Sequence, residues 1–485
     1  MDKVGRALMS VLLGAAVFAF WMWLYPQVLS YQEQNQLFLF TWDYLGERLA
    51  LPGGGADWLS EFLVQFFYVR WAGALVLALL AVLLQLAVWK AAECAGVPGK
   101  GSAYVLSFIP SLLVLVHMGD VEVLASFPVA LLLSVSLCPL FVKAGWHRLW
   151  LIPLGWWVCG PVIVVPVLVS VINGHKAGDL VMLLFTLLTA FAAYRLLAPQ
   201  YPVRDAFFGL NYYRLVESLP ALQVIIPLVT VACILVCAQA FRFPPAAGAV
   251  AGVVLLTGAF FGIRAAYDKD TFETLAYDWL IRGERYHDVV LRAEKYQPKN
   301  SVSACSVNFC LFADGQLGNR LEDFYQCGTE GLVQPSIRDN FSDITSAELL
   351  WMMGMPNITL QYCFDLQESI QNGRKSGRFM SRIAECNIVN GWYDRAEKYL
   401  DILEHSLFYR KWARSRKEMI KDESKVAADP VYSYIRSVRF KDDFITAYGG
   451  LDMMMAVLFN QNRNNFMAAE YYEAWQRLKG MEDAE

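Results

Sequence analysis

Eight apolar stretches fill the chain from Val4 to about Arg264, and nothing like them follows. A run of about 20 apolar residues is what the hydrocarbon core of a bilayer demands of a helix. The stretches are Val4–Leu24, Trp71–Trp89, Ala103–Val116, Val123–Val142, Leu149–Ile172, Leu180–Leu197, Leu219–Ala240 and Pro245–Ile263. They explain why a chain of 485 residues is 56% hydrophobic and only 18% charged. The third is short and reads as tilted, extended or partly re-entrant. The fifth carries Pro153, Pro161 and Pro166, which predict kinks. Two half-spans are the other reading of it, each too short to cross. Val4–Leu24 reads as an anchored helix, not a cleaved leader. Trp21, Trp23, Tyr25 and Pro26 follow where cleavage needs small residues.

With eight crossings, Lys and Arg separate by side. Lys3, Arg6, Lys90, Lys100, Lys143, Arg148, Arg195, Arg204, Arg214, Arg264 and Lys269 fall on one side. Arg48, Arg70, Lys176 and Arg242 fall on the other. This places both termini in the cytoplasm of a bacterial inner membrane. Net charge is −4, too small to imply a partner, and nothing points to nucleic acid. The ten cysteines lack metal-ligand spacing: Cys305 and Cys310 form a C-x4-C pair with no second pair. Buried free thiols are the expected state.

From about 265 to 485 the chain reads as a soluble helical domain, after a membrane domain over 1–264 with an outer loop at 26–70. In Asn390–Leu400, Gly391, Tyr393 and Ala396 fall where a tight turn enters a second helix. Phe379, Ile383 and Ile388 give the apolar face of the helix before it. Gly permits the turn and Ala lets two helices approach closely. This segment resembles the tetratricopeptide repeat, with weaker copies at Gly283, Gly315 and Asn464. The expected fold is therefore all-α: a bundle of about eight spans, then an α-solenoid of such repeats. No phosphate loop, dinucleotide fingerprint or HExxH occurs in it. The basic run from Arg410 to Lys421 reads as a solvated helix face.

The loop at 26–70 carries two aromatic-rich segments, Leu37–Leu45 and Trp58–Tyr68, separated by Pro52-Gly53-Gly54-Gly55. They read as short helices lying in the interface. Glu33 sits among Gln32, Gln34, Asn35 and Gln36, which lipid would penalise unless they faced a cavity or water. A second outer turn, His117 to Glu122, holds Asp120 and Glu122 in a D-x-E pair. A first-loop acid followed by a second-loop acidic pair resembles the GT-C superfamily of membrane glycosyltransferases. The resemblance implies a lipid-linked sugar donor at the outer face, with Glu33, Asp120 and Glu122 acting as base or holding a divalent metal. Arg48 and Arg70 would meet the donor's phosphate. The span count is lower than is common there, and no outer acceptor domain is visible. The chain also resembles an uncharacterised family of bacterial membrane proteins that joins such a region to a repeat-like tail. The competing expectation is a non-catalytic membrane scaffold that recruits protein partners through its repeats.

Overall fold

A computed structural model describes residues 3–96, 102–144, 147–174, 178–215, 218–239, 245–336, 342–370, 372–440 and 450–482. Among them every regular element is helical. The chain forms two compact units: Met1–Gln32 with Phe40–Asp268, and Glu33–Leu39 with Lys269–Glu485. The second unit thus contains a short segment from the loop after the first helix.

The first unit runs α1 (Lys3–Ala19, continuing as a π turn to Leu24), α2 (Pro26–Gln34, whose end enters unit 2), α3 (Trp42–Leu49), α4 (Gly54–Val64), α5 (Arg70–Ala95), α6 (Ile109–His117), α7 (Ser126–Lys143), α8 (Arg148–Cys159), α9 (Val164–Gly174), α10 (Gly178–Leu197), α11 (Val203–Phe208), α12 (Ala221–Ala238) and α13 (Pro245–Ala266). Among the described residues, six helical stretches are long and apolar enough to cross a membrane, or up to seven if a bent pair beginning in α13 counts as one. Ala103–His117 is a shorter apolar helix. Leu184, Leu187, Leu188 and Phe191 of α10 and Val253, Val254, Phe260 and Phe261 of α13 are exposed. A continuous apolar exterior of this kind suits lipid and not water.

One of those six stretches, Arg148–Gly174, folds back on itself. Arg148 Nη1 donates to Ser170 Oγ at 3.1 Å, and Nη2 pairs with Asp179 at 3.0 Å. In one straight helix Arg148 and Ser170 would stand about 33 Å apart. The reversal sits at Gly160, whose φ is +67°, followed by Pro161, which lacks an N–H. A Cβ at Gly160 would lie 2.8 Å from the Tyr212 hydroxyl. The expected fifth crossing is therefore a helical hairpin, and its first arm, α8 with 12 residues, is about 18 Å long.

Contacts define the two ends of this unit. At one end the Tyr25 and Tyr267 rings are 4.9 Å apart, and Leu124 N donates to Tyr212 O. At the other, Arg6 lies over Trp89 and Tyr104, and Asn173 donates to Ala95 O. The α8–α9 hairpin starts and finishes at the Arg6 end. The remaining long helices run from end to end, so the chain enters at the Arg6 end and leaves at the Tyr267 end. Two termini on one face required Leu149–Ile172 to be a crossing. Without it, Arg195, Arg204, Arg214 and Arg264 lie toward the Tyr267 end, apart from Lys3, Arg6, Lys90, Lys143 and Arg148. Lys100, Lys176, Arg242 and the expected span end at Ala240 lie outside the described residues.

The two helices expected in the interface each bury one face in the protein. Tyr44 and Arg48 of α3, and Asp57, Ser60 and Glu61 of α4, are buried, whereas Trp42 is 85% exposed. Leu37, Phe38 and Leu39 belong to the second unit.

That unit continues with α14 (Lys269–Arg282), α15 (Tyr286–Lys295), α16 (Ser301–Ala313), α17 (Leu317–Arg320), α18 (Asp343–Met352), α19 (Pro356–Glu368), α20 (Gly377–Val389), α21 (Tyr393–Glu404), α22 (Arg410–Met419), α23 (Glu423–Ala428), α24 (Pro430–Val438), α25 (Leu451–Gln461) and α26 (Phe466–Glu482). One turn recurs between helix pairs. At Glu284, Gly315, Gly354 and Gly391, φ is +55°, +68°, +88° and +75°. Each turn closes with an N–H five residues beyond its acceptor: Arg285 to Leu280, Gln316 to Leu311, Met355 to Leu350, Trp392 to Asn387. This is the Schellman cap. A Cβ at Gly391 would meet nothing within 4 Å, so its backbone angle alone calls for glycine. Ala396 is fully buried against Trp351, Ile388, Val426 and Tyr432. The copy expected at Asn464 differs: Asn462 Oδ1 accepts from Asn464 N, and fully buried Asn465 caps α26 and donates to Met353 O. Helices α25 and α26 return to the main core through Met455, Leu458, Tyr471 and Leu478.

Candidate functional site

The Tyr267 end of the first unit has a polar interior. Its frame is an antiparallel bridge between Val123 and Tyr213, with Arg214 N donating to Glu122 O. This pairing sets the Asp120–Glu122 turn beside the 209–214 segment. Tyr213 donates to Asp120 Oδ2 at 2.7 Å, and Glu122 N to Asp120 Oδ1 at 3.0 Å. Tyr31 donates to Glu122 Oε1 at 2.8 Å. Arg214 Nε lies 3.2 Å from Glu122 Oε2, and its guanidinium carbon lies 5.0 Å from the Tyr31 ring centroid. Burial and the Asp120 carboxylate push the Tyr213 hydroxyl well above its usual range, so it stays a donor. Asp120 remains half-buried and reachable.

Arg214 is 4% exposed, and neither of its Nη atoms has a partner. His117 is also buried and its Nε2 is unpartnered. At this level a small apolar pocket of about 20 Å³ lies between α1, α5 and α6, lined by Trp21, Val17, Leu80, Leu84, Val114 and Met118.

The expected phosphate-binding arginines are placed differently. Arg48 Nε pairs with fully buried Glu61 at 2.9 Å, and its guanidinium covers the Tyr44 ring at 4.9 Å. Tyr44 also donates to Glu61. The Arg48 charge is thus committed within the interior. Arg70 opens α5 and is exposed.

Glu33 is gathered into the second unit. Its Oε2 accepts two bonds from Arg282, each 3.0 Å, and its Oε1 accepts from the Tyr409 hydroxyl at 3.1 Å. Burial disfavours the charge on Arg282, and the Glu33 carboxylate overcomes that, so its pKa lies above the usual arginine range. Gln34 accepts from Arg378, and Leu37 N donates to Lys375 O. Of the three candidate acids, Asp120 and Glu122 share one cluster, and Glu33 has its partners in Arg282 and Tyr409. Arg378 continues a half-buried ionic chain through Asp278 and Glu348 to Arg382 and Glu385.

Tyr31, Tyr213 and Arg214 escaped the reading of the sequence. Arg214 counted there only as a loop cation, and the signal that it is special is its pairing with Glu122 across the chain. Among the described residues no group of three or more His, Cys, Asp or Glu side chains is placed to hold a metal. The basic run on α22 is matched by acids: Arg414 and Lys417 meet Glu404, and Arg416 meets Asp429.

The chain belongs to the DUF6057 family, a family of unknown function, whose model matches residues 3–479. No curated protein and no solved structure matches it.

Proposed function

We propose that this DUF6057 protein is a polytopic inner-membrane protein that transfers a sugar from a polyprenyl-phosphate donor at the Tyr267 end of its first unit. The observation that carries this is the cluster of Asp120 and Glu122 with Tyr31, Tyr213 and Arg214, beside a small apolar pocket in a unit whose exterior is apolar. Asp120, oriented by Tyr213, takes the proton from the acceptor hydroxyl. The acceptor oxygen bonds the anomeric carbon, and the bond from that carbon to the donor's phosphate oxygen breaks, its electron pair leaving on the phosphate. Glu33 supports the second unit instead. The test compares envelope glycans by mass spectrometry in a strain lacking the protein and complemented with wild type or Asp120→Asn at equal abundance. The glycan lost on deletion should return only with wild type. Full restoration by the variant would remove Asp120 from the chemistry.

The direction of the first and last helices of the membrane unit supports termini on opposite faces, in place of two cytoplasmic termini. Cysteines placed singly beside Lys3 and Lys479 should react with an impermeant reagent in intact cells at one position only. Equal reactivity at both would return the hairpin to a full crossing.

A second reading is favoured by the four Schellman turns and the buried Ala396. It takes the second unit as a degenerate tetratricopeptide-like solenoid that recruits a protein partner, with the membrane unit as its scaffold.

A further inference from the structure

Arg214 presents a buried charge with most of its hydrogen-bonding capacity idle. Its Nε forms an ion pair with Glu122 at 3.2 Å without hydrogen-bond alignment, while Nη1 and Nη2 are buried without partners. A guanidinium has five donors in a rigid fork, and leaving such a group dry and unpaired is costly. Tyr31 covers one face of it at 5.0 Å, which fixes the plane in which the two Nη groups point. The other two arginines considered for such a role differ: Arg48 is committed to Glu61, and Arg70 is exposed. We infer that Arg214 is the anion-binding residue of the first unit, taking a phosphate oxyanion on Nη1 and Nη2 in the two-point manner that guanidinium favours.

The ligand's identity rests on the transfer reading above; the anionic charge rests on Arg214 alone. Glu122 competes with the incoming anion for the same guanidinium, so the two carry opposite predictions. Two sources supply such a phosphate, a lipid carrier and the free ion. The apolar lining at Trp21 and Met118 favours the lipid-borne one.

The test uses the full chain in a phosphate-free sugar detergent, with calorimetry against farnesyl monophosphate, inorganic phosphate and farnesol. Farnesyl monophosphate should bind saturably and farnesol far more weakly. Arg214→Gln should weaken phosphate binding at least tenfold, as loss of a charged hydrogen-bond pair does. Glu122→Gln should tighten it several-fold, and this arm decides should the arginine variant fail to fold. Inorganic phosphate binding as tightly as the farnesyl ester, with the same dependence on Arg214, would support the site with a soluble ligand. No binding of either phosphate by wild type, binding unchanged in Arg214→Gln, or binding unchanged or weakened in Glu122→Gln would each overturn the inference. Asp120→Asn should keep phosphate binding. If it also restores the glycan, the transfer reading falls and the anion site stands.

Discussion

Two arginines paired with carboxylates are treated in opposite ways by the two units. In the second, Arg382 is enclosed by Glu348 and Glu385, and the chain of charges runs on through Arg378 to Asp278. In the first, Arg214 meets one carboxylate through one nitrogen. Each Nη of Arg382 bonds a carboxylate, its Nε has no partner, and the guanidinium also covers Trp351 at 4.7 Å. A charge held by carboxylates on two sides is a structural part that tolerates the loss of a partner poorly. An unsaturated one has room for something that is not protein.

The largest expected effect tests this contrast directly. Arg382→Met should cost the second unit up to about 3 kcal/mol, because Glu385 loses its cation and Glu348 keeps only Arg378. Arg214→Met should cost the first unit clearly less, since Glu122 keeps its bond from Tyr31. Hydrogen exchange on the full chain resolves the two units; equal losses would erase the distinction.

Next comes Glu33→Gln, expected to cost about 1.5–3 kcal/mol in the second unit by weakening charged bonds to Arg282. Faster amide exchange in α14 and α20 is the readout, and exchange unchanged there would detach Glu33 from that core. Ala396→Trp should cost about 1–3 kcal/mol through overpacking against Trp351 and Tyr432. An unaltered urea midpoint for the second unit would mean that the contact is not close.

The smallest effect is local. His287 is exposed, and its hydrogen bond with Asp314 raises its pKa above the usual value of about 6.5. Its contribution to stability is therefore complete below that usual value and fades as pH rises through the raised one. By NMR the midpoint should drop in Asp314→Asn; an unmoved midpoint would leave the pair without electrostatic content.

Hydropathy alone located the six long apolar stretches among the described residues, because a bilayer-length run is a strong local signal, but it passed over the shorter apolar helix Ser301–Ala313. Gly391 and Gly315 were legible for the same reason: a left-handed turn needs glycine whatever surrounds it. Glu284 adopts the angle without being glycine, and the turn at Gly354 carried no aromatic to mark it. Lost to local reading was whatever depends on a distant partner. The halves of Leu149–Ile172 are each plausible as part of one span until Arg148 is seen beside Ser170. Asp120 and Glu122 stood out as acids, but Tyr213 and Arg214, which hold them, lie roughly 90 residues on. Glu33 drew attention for its polar neighbourhood, and the neighbourhood was real. Its partner Arg282 is 249 positions away, where no periodicity points.

That separation bears on how the protein is made. Glu33–Leu39 emerges from the ribosome early, and its partners Arg282, Arg378 and Tyr409 are translated only after every helix of the first unit. At about 5–20 residues per second the wait is on the order of tens of seconds. Through that interval Leu37, Phe38 and Leu39 have no core to enter. A nascent chain cut short before α14 carries them exposed, and so bears a sticky mark that the finished protein hides.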